Sequence, residues 1–400
     1  MFIKAVVRAA GAAAVAGAML VPPALAQNIK IGVVTTYSGP LASPGVEMDK
    51  GLSLYFDLHK KDLPPGVTVE LIRRDDTNNP DTGKRVAQEL ITRDQVQFLC
   101  GAVYSPIAGA IAPLAGEAKV PFVIMNAAGS SITRISPFVV RDSFTLWQVS
   151  SPMGQWAAKN GIKEAYTAVS DYAPGIDAEG GFKKGFEDNG GKVVGSVRFP
   201  LGNPDFVPFL QRVKDAKPQA LFIFVPAGPQ STQMIKAFND LGLKQAGIKL
   251  ITTQDLVVDS ELPNMGDIPL GVVDSGTYTI SADRPANKAF LDAWKKAYGD
   301  SPIPDFVAAD SWDGMAMIFD AIKKTGGKGT GDQMMAILSN YKTNDSPRGS
   351  FSIDPVTRDV VQNIYIARVE KKNGKLANVP FSSVPNVKDI WKELNPPKQP

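Results

Sequence analysis

The sequence predicts an α/β protein of two lobes, each a parallel sheet covered by helices on both faces. Three observations lead to this fold class. Short strands rich in Ile and Val alternate with segments of helical periodicity from Asn28 to Ser131. The same alternation starts again at Ala165 and runs to Thr252. Helical segments then return from Asn287 onward, which indicates that the chain crosses between the lobes more than once.

The first lobe opens with apolar runs of strand length separated by amphipathic segments. We predict strands at Asn28–Thr35, Val67–Arg73 and Gln97–Cys100, and helices at Val46–His59 and Asp81–Asp94. From Gly101 to Ser131 the chain then reads as a turn, a short helix, a buried strand and a second turn. The order β-α-β-α-β-α-β predicts a parallel sheet, because parallel neighbours require helical crossovers.

The second lobe repeats this pattern. We predict strands at Ala165–Ser170, Lys192–Phe199, Ala220–Val225, Lys249–Thr252 and Asp274–Ile280, with helices at Asp177–Asn189, Phe206–Lys214 and Ser231–Leu241. Later helices are predicted at Asn287–Gly299, Ala308–Lys324 and Gly331–Tyr341, and the last strand at Asn363–Val369. The Pro-rich tail, residues 395–400, is expected to be disordered.

The chain is expected to pass between the lobes near Ser143–Trp147, Ser275–Tyr278 and Gly349–Asp354. Lobe 1 then comprises residues 27–145 and 278–352, and lobe 2 comprises residues 146–277 and 353–394. Ligand sites favour such domain interfaces, so a cleft between the lobes is the first place to expect one.

Residues 1–26 have the pattern of a secretory signal peptide. Lys4 and Arg8 precede an apolar run that is short for a membrane span, and Ala24-Leu25-Ala26 is a small-residue cleavage site before Gln27. Gln27 stands where a lipid-anchored protein would have a cysteine, and Cys100 is the only cysteine of the chain. We therefore expect a protein released into a bacterial periplasm, without an intrachain disulfide.

The charge balance argues against nucleic acid as a partner. Removing Lys4 and Arg8 lowers the formal net charge from +3 to +1, and acidic and basic residues alternate along the chain. Catalysis is also not expected. The mature chain lacks GxSxG, HExxH and GxGxxG, and its only histidine, His59, lies on the apolar face of a helix. No His/Cys cluster suggests a metal, and no cofactor is expected.

Two turns between Gly101 and Ser131 follow strands, and both are predicted to open toward a helix. Tyr104 and Ser105 precede Pro106, and the run from Asn126 to Ser131 is made of small residues with free amide groups. Two helix N-termini with small polar caps would cradle an anion or carboxylate without a charged side chain. Ordinary helix caps in such a sheet would give the same pattern.

The sequence resembles the solute-binding proteins of ABC importers, of the branched-chain amino acid type. The resemblance rests on Ile29–Val33, on Ser38–Ala42 with Gly45 and Gly51, on Asp75-Asp76 with Pro80, on Val120–Val123 leading to Ala128–Ser130, and on Phe138–Arg141. It implies the type I periplasmic binding protein fold, with two Rossmann-like lobes joined by a three-stranded hinge. It also implies a non-catalytic monomer that closes on a small carboxylate and docks on an importer permease. Two alternatives to this function remain: a ligand sensor that docks on a receptor, and a secreted hydrolase.

The resemblance also implies binding residues in lobe 1. Ser105 and the turn containing Asn126, Ala128, Gly129 and Ser131 would hold the ligand carboxylate, with Gly129 and Ser131 preferred. Tyr37 falls in the first turn, where side chains of this family reach the cleft, and Tyr104 is a candidate because it stands beside Ser105 in the turn before Pro106.

In lobe 2, Tyr172 follows a strand, and Asp255 stands where amino acid binders place a carboxylate for the ligand ammonium group. The stretch from Pro226 through Gly228 to Pro229 predicts an apolar wall, since proline donates no backbone hydrogen bond. Tyr37, Tyr104, Trp147, Tyr172 and Tyr278 lie near strand ends or crossings, and three or more of them in the cleft would suit a planar ligand. We therefore expect an aromatic or hydrophobic acid rather than an α-amino acid.

Overall fold

The computed structural model describes residues 27–396, so the predicted signal peptide and the last four residues of the tail lie outside it. Its strands are β1 (Gln27–Thr35), β2 (Val67–Asp75), β3 (Phe98–Gly101), β4 (Phe122–Ile124), β5 (Val139–Arg141), β6 (Glu164–Ser170), β7 (Lys192–Phe199), β8 (Ala220–Phe224), β9 (Lys249–Thr253), β10 (Val273–Gly276), β11 (Lys342–Thr343), β12 (Phe351–Ile353), β13 (Val360–Lys372) and β14 (Lys375–Val387).

Its α-helices are α1 (Ser43–His59), α2 (Pro80–Thr92), α3 (Ser105–Ala118), α4 (Leu146–Lys159), α5 (Ala173–Glu187), α6 (Val207–Ala216), α7 (Pro229–Asp240), α8 (Pro285–Tyr298), α9 (Phe306–Thr325), α10 (Gly331–Leu338) and α11 (Trp391–Leu394). Among the helices of residues 27–396, none combines the length and the apolar character required to cross a bilayer.

Two sheets organise these elements, as predicted. The lobe 1 sheet has the order β2-β1-β3-β4-β5, with every pair parallel. The lobe 2 sheet runs β11-β12-β13-β10-β9-β8-β6-β7, and its β6 to β10 part is parallel. Because α8 and α9 pack against α1, the chain does return to lobe 1 after lobe 2 is built.

Four features differ from the sequence-based expectations. The turn after β4 opens into the 3-10 helix Ile132–Arg134 rather than an α-helix, so only one of the two predicted helix N-termini is present. Helix α4 was not among the predicted elements, and it contains Pro152. Strand β14 follows the strand predicted to be the last. Its Pro380 and Pro385 disfavour a strand, but it pairs only with β13 and Pro380 lies next to a register shift, where proline is tolerated.

Strands β11 and β12 join the lobe 2 sheet, although residues up to 352 were expected in lobe 1.

The tail also begins in an ordered contact. The carbonyl of Asn395 accepts a hydrogen bond from the Arg134 guanidinium, which lies over the Trp391 ring. Helix α11 thus returns the chain from lobe 2 to the surface of lobe 1.

A buried guanidinium joins the segments that run between the lobes. Arg348 Nε donates to Asp313 Oδ2 at 2.7 Å, its Nη2 donates to Asp142 Oδ2 at 3.3 Å, and its Nη1 lies 3.1 Å from Asp310 Oδ1. Nη1 also donates to the Ser143 carbonyl and to Gln362 Oε1, both at 2.9 Å. One side chain therefore ties the first crossing, helix α9 and strand β13 together.

Burial determines how many of the carboxyl groups around Arg348 are ionised. Loss of water raises the pKa of Asp142 well above its usual range and that of Asp310 to about 8, although Arg348 lowers both. The same burial, opposed by Arg348, raises the pKa of Asp313. At neutral pH the three carboxyl groups are therefore not all ionised, and the excess negative charge around Arg348 is reduced.

Replacing Arg348 with methionine should destabilise the protein strongly, because the carboxyl groups would lose their only buried cation. We expect Arg348→Met to reduce the free energy of unfolding by about 3–5 kcal/mol in urea denaturation of the ligand-free protein. Arg85→Met is the matched control, since Arg85 is exposed on α2 and pairs with Glu89. This control should change stability by less than about 0.5 kcal/mol. Equal effects of the two substitutions would contradict the role given to Arg348.

Candidate functional site

A cleft between the lobes is lined by residues that follow the carboxyl ends of strands in both sheets. Its empty volume is about 330 Å³, which includes space open to solvent. Lobe 1 lines it with Pro44, Val103, Tyr104, Ser105, Asn126, Ala128 and Phe144, and lobe 2 with Leu146, Tyr172, Pro174, Phe224, Pro226, Ala227 and Asp255. Ligands of open α/β sheets bind at this edge, because loops leave the strands there and helix N-termini point toward it.

The turn from β3 to α3 presents Tyr104 and Ser105 to the cleft. Gly101 has a φ of +109°, and a Cβ there would lie 2.4 Å from the Val34 carbonyl oxygen, so only glycine fits this turn. Tyr104 is oriented by the hydrogen bond that its hydroxyl donates to the Leu41 carbonyl at 2.9 Å. Ser105 is the first residue of α3, where the backbone N–H groups have no partner within the helix.

The turn after β4 lies against Ser105. The Gly129 N–H donates to Ser105 Oγ at 3.0 Å, which leaves the serine hydroxyl proton free to donate into the cleft. A Cβ on Gly129 would lie 3.2 Å from Ser105 Oγ, so a small residue is required here. Asn126 Nδ2 donates to the Val103 carbonyl at 2.9 Å, and the Ala128 amide has no hydrogen-bond acceptor within residues 27–396. Lobe 1 thus offers neutral donors to an anion.

The lobe 2 side of the cleft is mainly apolar. Tyr172 stacks beside Phe224, with ring centroids 6.1 Å apart and an angle of 19° between the rings. Pro174 is the second residue of α5, and Pro226 and Ala227 follow β8, so these wall segments offer few backbone donors. The predicted apolar surface at Pro226 and Ala227 does face the cleft.

Asp255 is the only ionisable carboxyl among the lining residues. Its Oδ2 accepts from Thr253 Oγ1 at 2.9 Å. Burial raises its pKa to about 7, and the Thr253 hydrogen bond opposes this shift only in part. The pKa of the Tyr172 phenol is also raised, by burial first and then by the Asp255 charge. No lysine, arginine or histidine lines the cleft.

Six of the eleven predicted binding residues line the cleft: Tyr104, Ser105, Asn126, Ala128, Tyr172 and Asp255. The other five do not line it. Tyr37 donates to Asp49 Oδ1 and Tyr278 to Asn287 Oδ1, each at 2.9 Å. Gly129 supports Ser105 from behind, Gly228 begins α7, and Ser131 precedes the 3-10 helix.

Of the five aromatic residues expected near the cleft, only Tyr104 and Tyr172 line it. Phe144 and Phe224 were missed, and with them the cleft has four aromatic side chains. Phe224 is the last residue of β8 and lies within the strand predicted at Ala220–Val225. Phe144 lies in the first predicted crossing between the lobes. The rule that places ligands at the carboxyl ends of strands could have singled out both residues.

The lobes touch across the cleft, so this structure shows a closed arrangement. The Ser130 N–H donates to Asp177 Oδ2 at 2.8 Å, and Ser260 Oγ donates to Asp305 Oδ2 at 2.7 Å. At the cleft edge, a Cβ built on Gly228 would lie 3.6 Å from Pro44 Cδ. Each of the two hydrogen bonds joins a lobe 1 residue to a lobe 2 residue, and opening of the cleft would break both.

The sequence from residue 28 to residue 375 matches the family described as periplasmic binding protein. The chain belongs to this family. The predicted two-lobed α/β fold and the resemblance to the solute-binding proteins of ABC importers are therefore confirmed.

Relatives of this periplasmic binding protein cover almost its full length. Leu/Ile/Val-binding protein homolog 6 of Brucella melitensis biotype 1 is 41% identical over 349 residues, which are 87% of this chain and 89% of the relative. A solute-binding protein of an ABC transporter from Rhodopseudomonas palustris BisB5, solved in complex with 3,4-dihydroxybenzoic acid, is 47% identical. Its TM-score is 0.88, over 91% of this chain and 99% of that structure.

A further solute-binding protein from R. palustris was solved in complex with 4-hydroxybenzoate. It is 43% identical to this periplasmic binding protein, with a TM-score of 0.87 over 91% of this chain and 98% of that structure. The two R. palustris structures contain hydroxylated benzoic acids, whereas the Brucella relative is named as a Leu/Ile/Val-binding protein homolog.

Proposed function

We propose that this protein captures an aromatic monocarboxylate of the hydroxybenzoate class between its lobes and delivers it to an ABC importer. The observation that carries the proposal is the lining of the cleft. Four aromatic side chains and three prolines surround neutral hydrogen-bond donors and a single carboxyl group, Asp255, whose pKa is about 7. A flat apolar ring with one carboxylate matches this lining better than an aliphatic zwitterion does.

The carboxylate of the ligand is assigned to the lobe 1 wall. The Ser105 hydroxyl, the Ser105 N–H at the start of α3 and the Ala128 N–H converge on the cleft from two adjacent turns. Backbone donors at a helix N-terminus favour negative charge through the helix dipole. A carboxylate bound there needs no arginine or lysine, and none lines the cleft.

The ring of the ligand is assigned to the space between the aromatic side chains. Tyr104 and Phe144 approach from lobe 1, and Tyr172 and Phe224 from lobe 2. Ring edges and faces attract one another in offset or perpendicular arrangements, so a planar ligand gains more from this wall than a branched aliphatic side chain. The aromatic acids in the complexes of the two R. palustris relatives support this class.

Branched-chain amino acids are the second candidate, since the relative from Brucella is named as a Leu/Ile/Val-binding protein homolog. Asp255 favours this candidate, because an ammonium group in a closed cleft requires a counter-charge. Burial raises the pKa of Asp255 to about 7 in the ligand-free cleft, and a bound ammonium group would lower it again, so the aromatic lining rather than this titration favours the aromatic acid.

Capture proceeds by closure of the lobes. A ligand touched by both walls is bound more strongly in the closed arrangement than in the open one, so it shifts the population toward closure. The closed surface is then the form that the importer permease recognises. We also propose that residues 1–26 direct secretion into the periplasm, where the released monomer meets its ligand. If the permease does not bind the closed form, the same closure would serve a receptor instead.

A ligand panel separates the two substrate classes. We expect 4-hydroxybenzoate and 3,4-dihydroxybenzoate to raise the melting temperature of residues 27–400, because a ligand at 100 to 1,000 times its Kd stabilises the folded state by about 3–4 kcal/mol. Leucine, isoleucine and valine should give no shift at the same concentrations. The reverse pattern would replace the aromatic acid with an aliphatic amino acid, and calorimetric titration of any positive ligand checks the stoichiometry of one per chain.

Removing the Ser105 hydroxyl tests the proposed carboxylate site. We expect Ser105→Ala to weaken 4-hydroxybenzoate binding by about 1–2 kcal/mol, or about 5- to 30-fold in Kd by calorimetry, because a buried ligand oxygen loses its donor. The matched control is Ser131→Ala, which changes a serine in the same region that does not line the cleft. A control that weakens binding as much as Ser105→Ala would place the carboxylate elsewhere.

The titration of Asp255 gives a second test, with benzoate as a probe that has no hydroxyl group to donate. Asp255 is mainly neutral below pH 7 and mainly anionic above it, since burial raises its pKa to about 7. Benzoate stays anionic over this range, so its affinity should fall about tenfold between pH 6 and pH 8.5 as a second negative charge develops in the closed cleft. Asp255→Asn should make the affinity independent of pH, and an affinity that rises with pH would indicate a cationic ligand group beside Asp255.

A further inference from the structure

A second concave site lies on lobe 1, away from the ligand cleft. We propose that this site, which we call the aromatic groove, binds a small organic cation with an alkylated ammonium group. Its walls are the rings of Tyr55, His59, Phe290, Trp312 and Tyr341. Its empty volume is about 1080 Å³, which includes space open to solvent and is enough for a small molecule.

The rings of the groove hold one another in fixed orientations. Tyr55 stacks on His59 with centroids 4.2 Å apart, and Trp312 meets Tyr55 edge-on at 5.0 Å and His59 at 5.9 Å. Phe290 meets Trp312 at 5.3 Å from the other side. Such a set is preorganised, so binding a ligand would cost little side-chain entropy.

Small residues leave the space that the rings surround. Ala286, Ala289 and Ala293 on α8 and Ala316 on α9 line the groove, where larger side chains would fill it. Leu58 at the rim keeps 50% of its surface exposed, and the His59 side chain is 34% exposed. The groove is therefore open to solvent, and a small molecule can reach the half-buried rings of Tyr55, His59, Trp312 and Tyr341, whereas Phe290 is fully buried and packs against Trp312.

The charges around the groove favour a cation. Helix α1 ends at His59, so the negative end of its dipole lies at the rim. Asp345 is exposed and lines the groove, and Asp62 Oδ2 lies 2.8 Å from His59 Nδ1. Burial, with added contributions from carboxylates that include Asp62 and Asp345, raises the pKa of the Tyr55 phenol to about 12.

Nearby lysines do not cancel this negative potential. Lys60 pairs with Asp57 at 2.8 Å, and Lys324 pairs with Asp320 at 2.7 Å. Lys323 contributes to the potential at Asp62, but it is not among the lining residues of the groove. A mobile cation entering the groove would thus meet ring faces and carboxylates together.

Alkylated ammonium ions fit this combination best. The face of an aromatic ring attracts a cation, and the attraction is largest for tryptophan and for cations that lose little hydration. A methylated ammonium group presents apolar methyl groups to the rings and alanines and keeps its positive charge for the carboxylates. The bare ammonium group of a lysine side chain is more strongly hydrated, so it would gain less.

The groove and the ligand cleft are separate sites. Pro44 lines the cleft near the start of α1, and His59 lines the groove at its end. A helix of 17 residues is about 25 Å long, so the two sites lie at opposite ends of α1. Binding in the groove is expected whether or not the cleft is occupied.

The single histidine of the chain provides a direct probe of the groove. We would titrate the mature protein with choline and follow the His59 ring protons by NMR, with sodium chloride at the same ionic strength as a reference. We expect the chemical shifts of these protons to change saturably with choline concentration and to show no saturable change with sodium chloride. His59 resonances that respond equally to both salts, or to neither, would overturn the proposal.

Two variants test which residues hold the cation. Asp345→Lys reverses an exposed charge at the rim without touching His59, and it should raise the half-saturating choline concentration about five- to tenfold. Asp215→Lys is the matched control on exposed α6 in lobe 2, and it should leave the titration unchanged. Trp312→Leu should abolish the saturable shift, and if this variant does not fold, the Asp345 pair decides. Equal titrations for the two charge reversals would overturn the proposal.

Discussion

The geometry of the ligand cleft depends on the buried guanidinium of Arg348. It joins Asp142 after β5, Asp310 and Asp313 on α9, and Gln362 on β13, and Asp142 lies 206 residues before Arg348 in the chain. A buried cation with several partners tolerates little displacement, because any lost partner would leave a charge without water or a counter-ion. The two sheets are therefore fixed relative to each other near the crossings, and movement of the lobes has to occur around this cluster.

With the crossings fixed, the carboxyl ends of both sheets face one another. Lobe 1 then presents helix and turn amides beside Ser105, while lobe 2 presents rings and prolines with Asp255. The two walls differ in chemistry, which suits a ligand with one charged end and one apolar body. The relatives solved with hydroxylated benzoic acids show that this fold accommodates such ligands. In this chain, the four aromatic side chains that line the cleft are the property that most clearly favours an aromatic acid over an amino acid.

Much of the fold could be predicted from local patterns. Parallel strands of the β6–β10 region and helices such as α1 and α2 were recognised within a few residues, because apolar periodicity and turn residues report burial directly. Prediction failed where tertiary contacts override local preference. Pro152 is accommodated inside α4, Pro380 and Pro385 lie on a strand that pairs on one side only, and the turn after β4 ends in a 3-10 helix. Judged from the local sequence alone, proline and small residues predict the end of a helix or strand. Whether the helix or strand ends there depends on the elements packed against it.

The sequence by itself determined the two-lobed α/β class, the sheet edge at which a ligand is expected, and six of the residues that line the cleft. Strand order and the position of a residue after a strand are sufficient for those conclusions. Only the tertiary structure decided which side chains face the cleft. It turned Tyr37 and Tyr278 toward Asp49 and Asn287, and it brought Phe144 and Phe224 together from separate lobes. Side-chain direction at a strand end depends on the partners that packing supplies, and those partners are distant in the sequence.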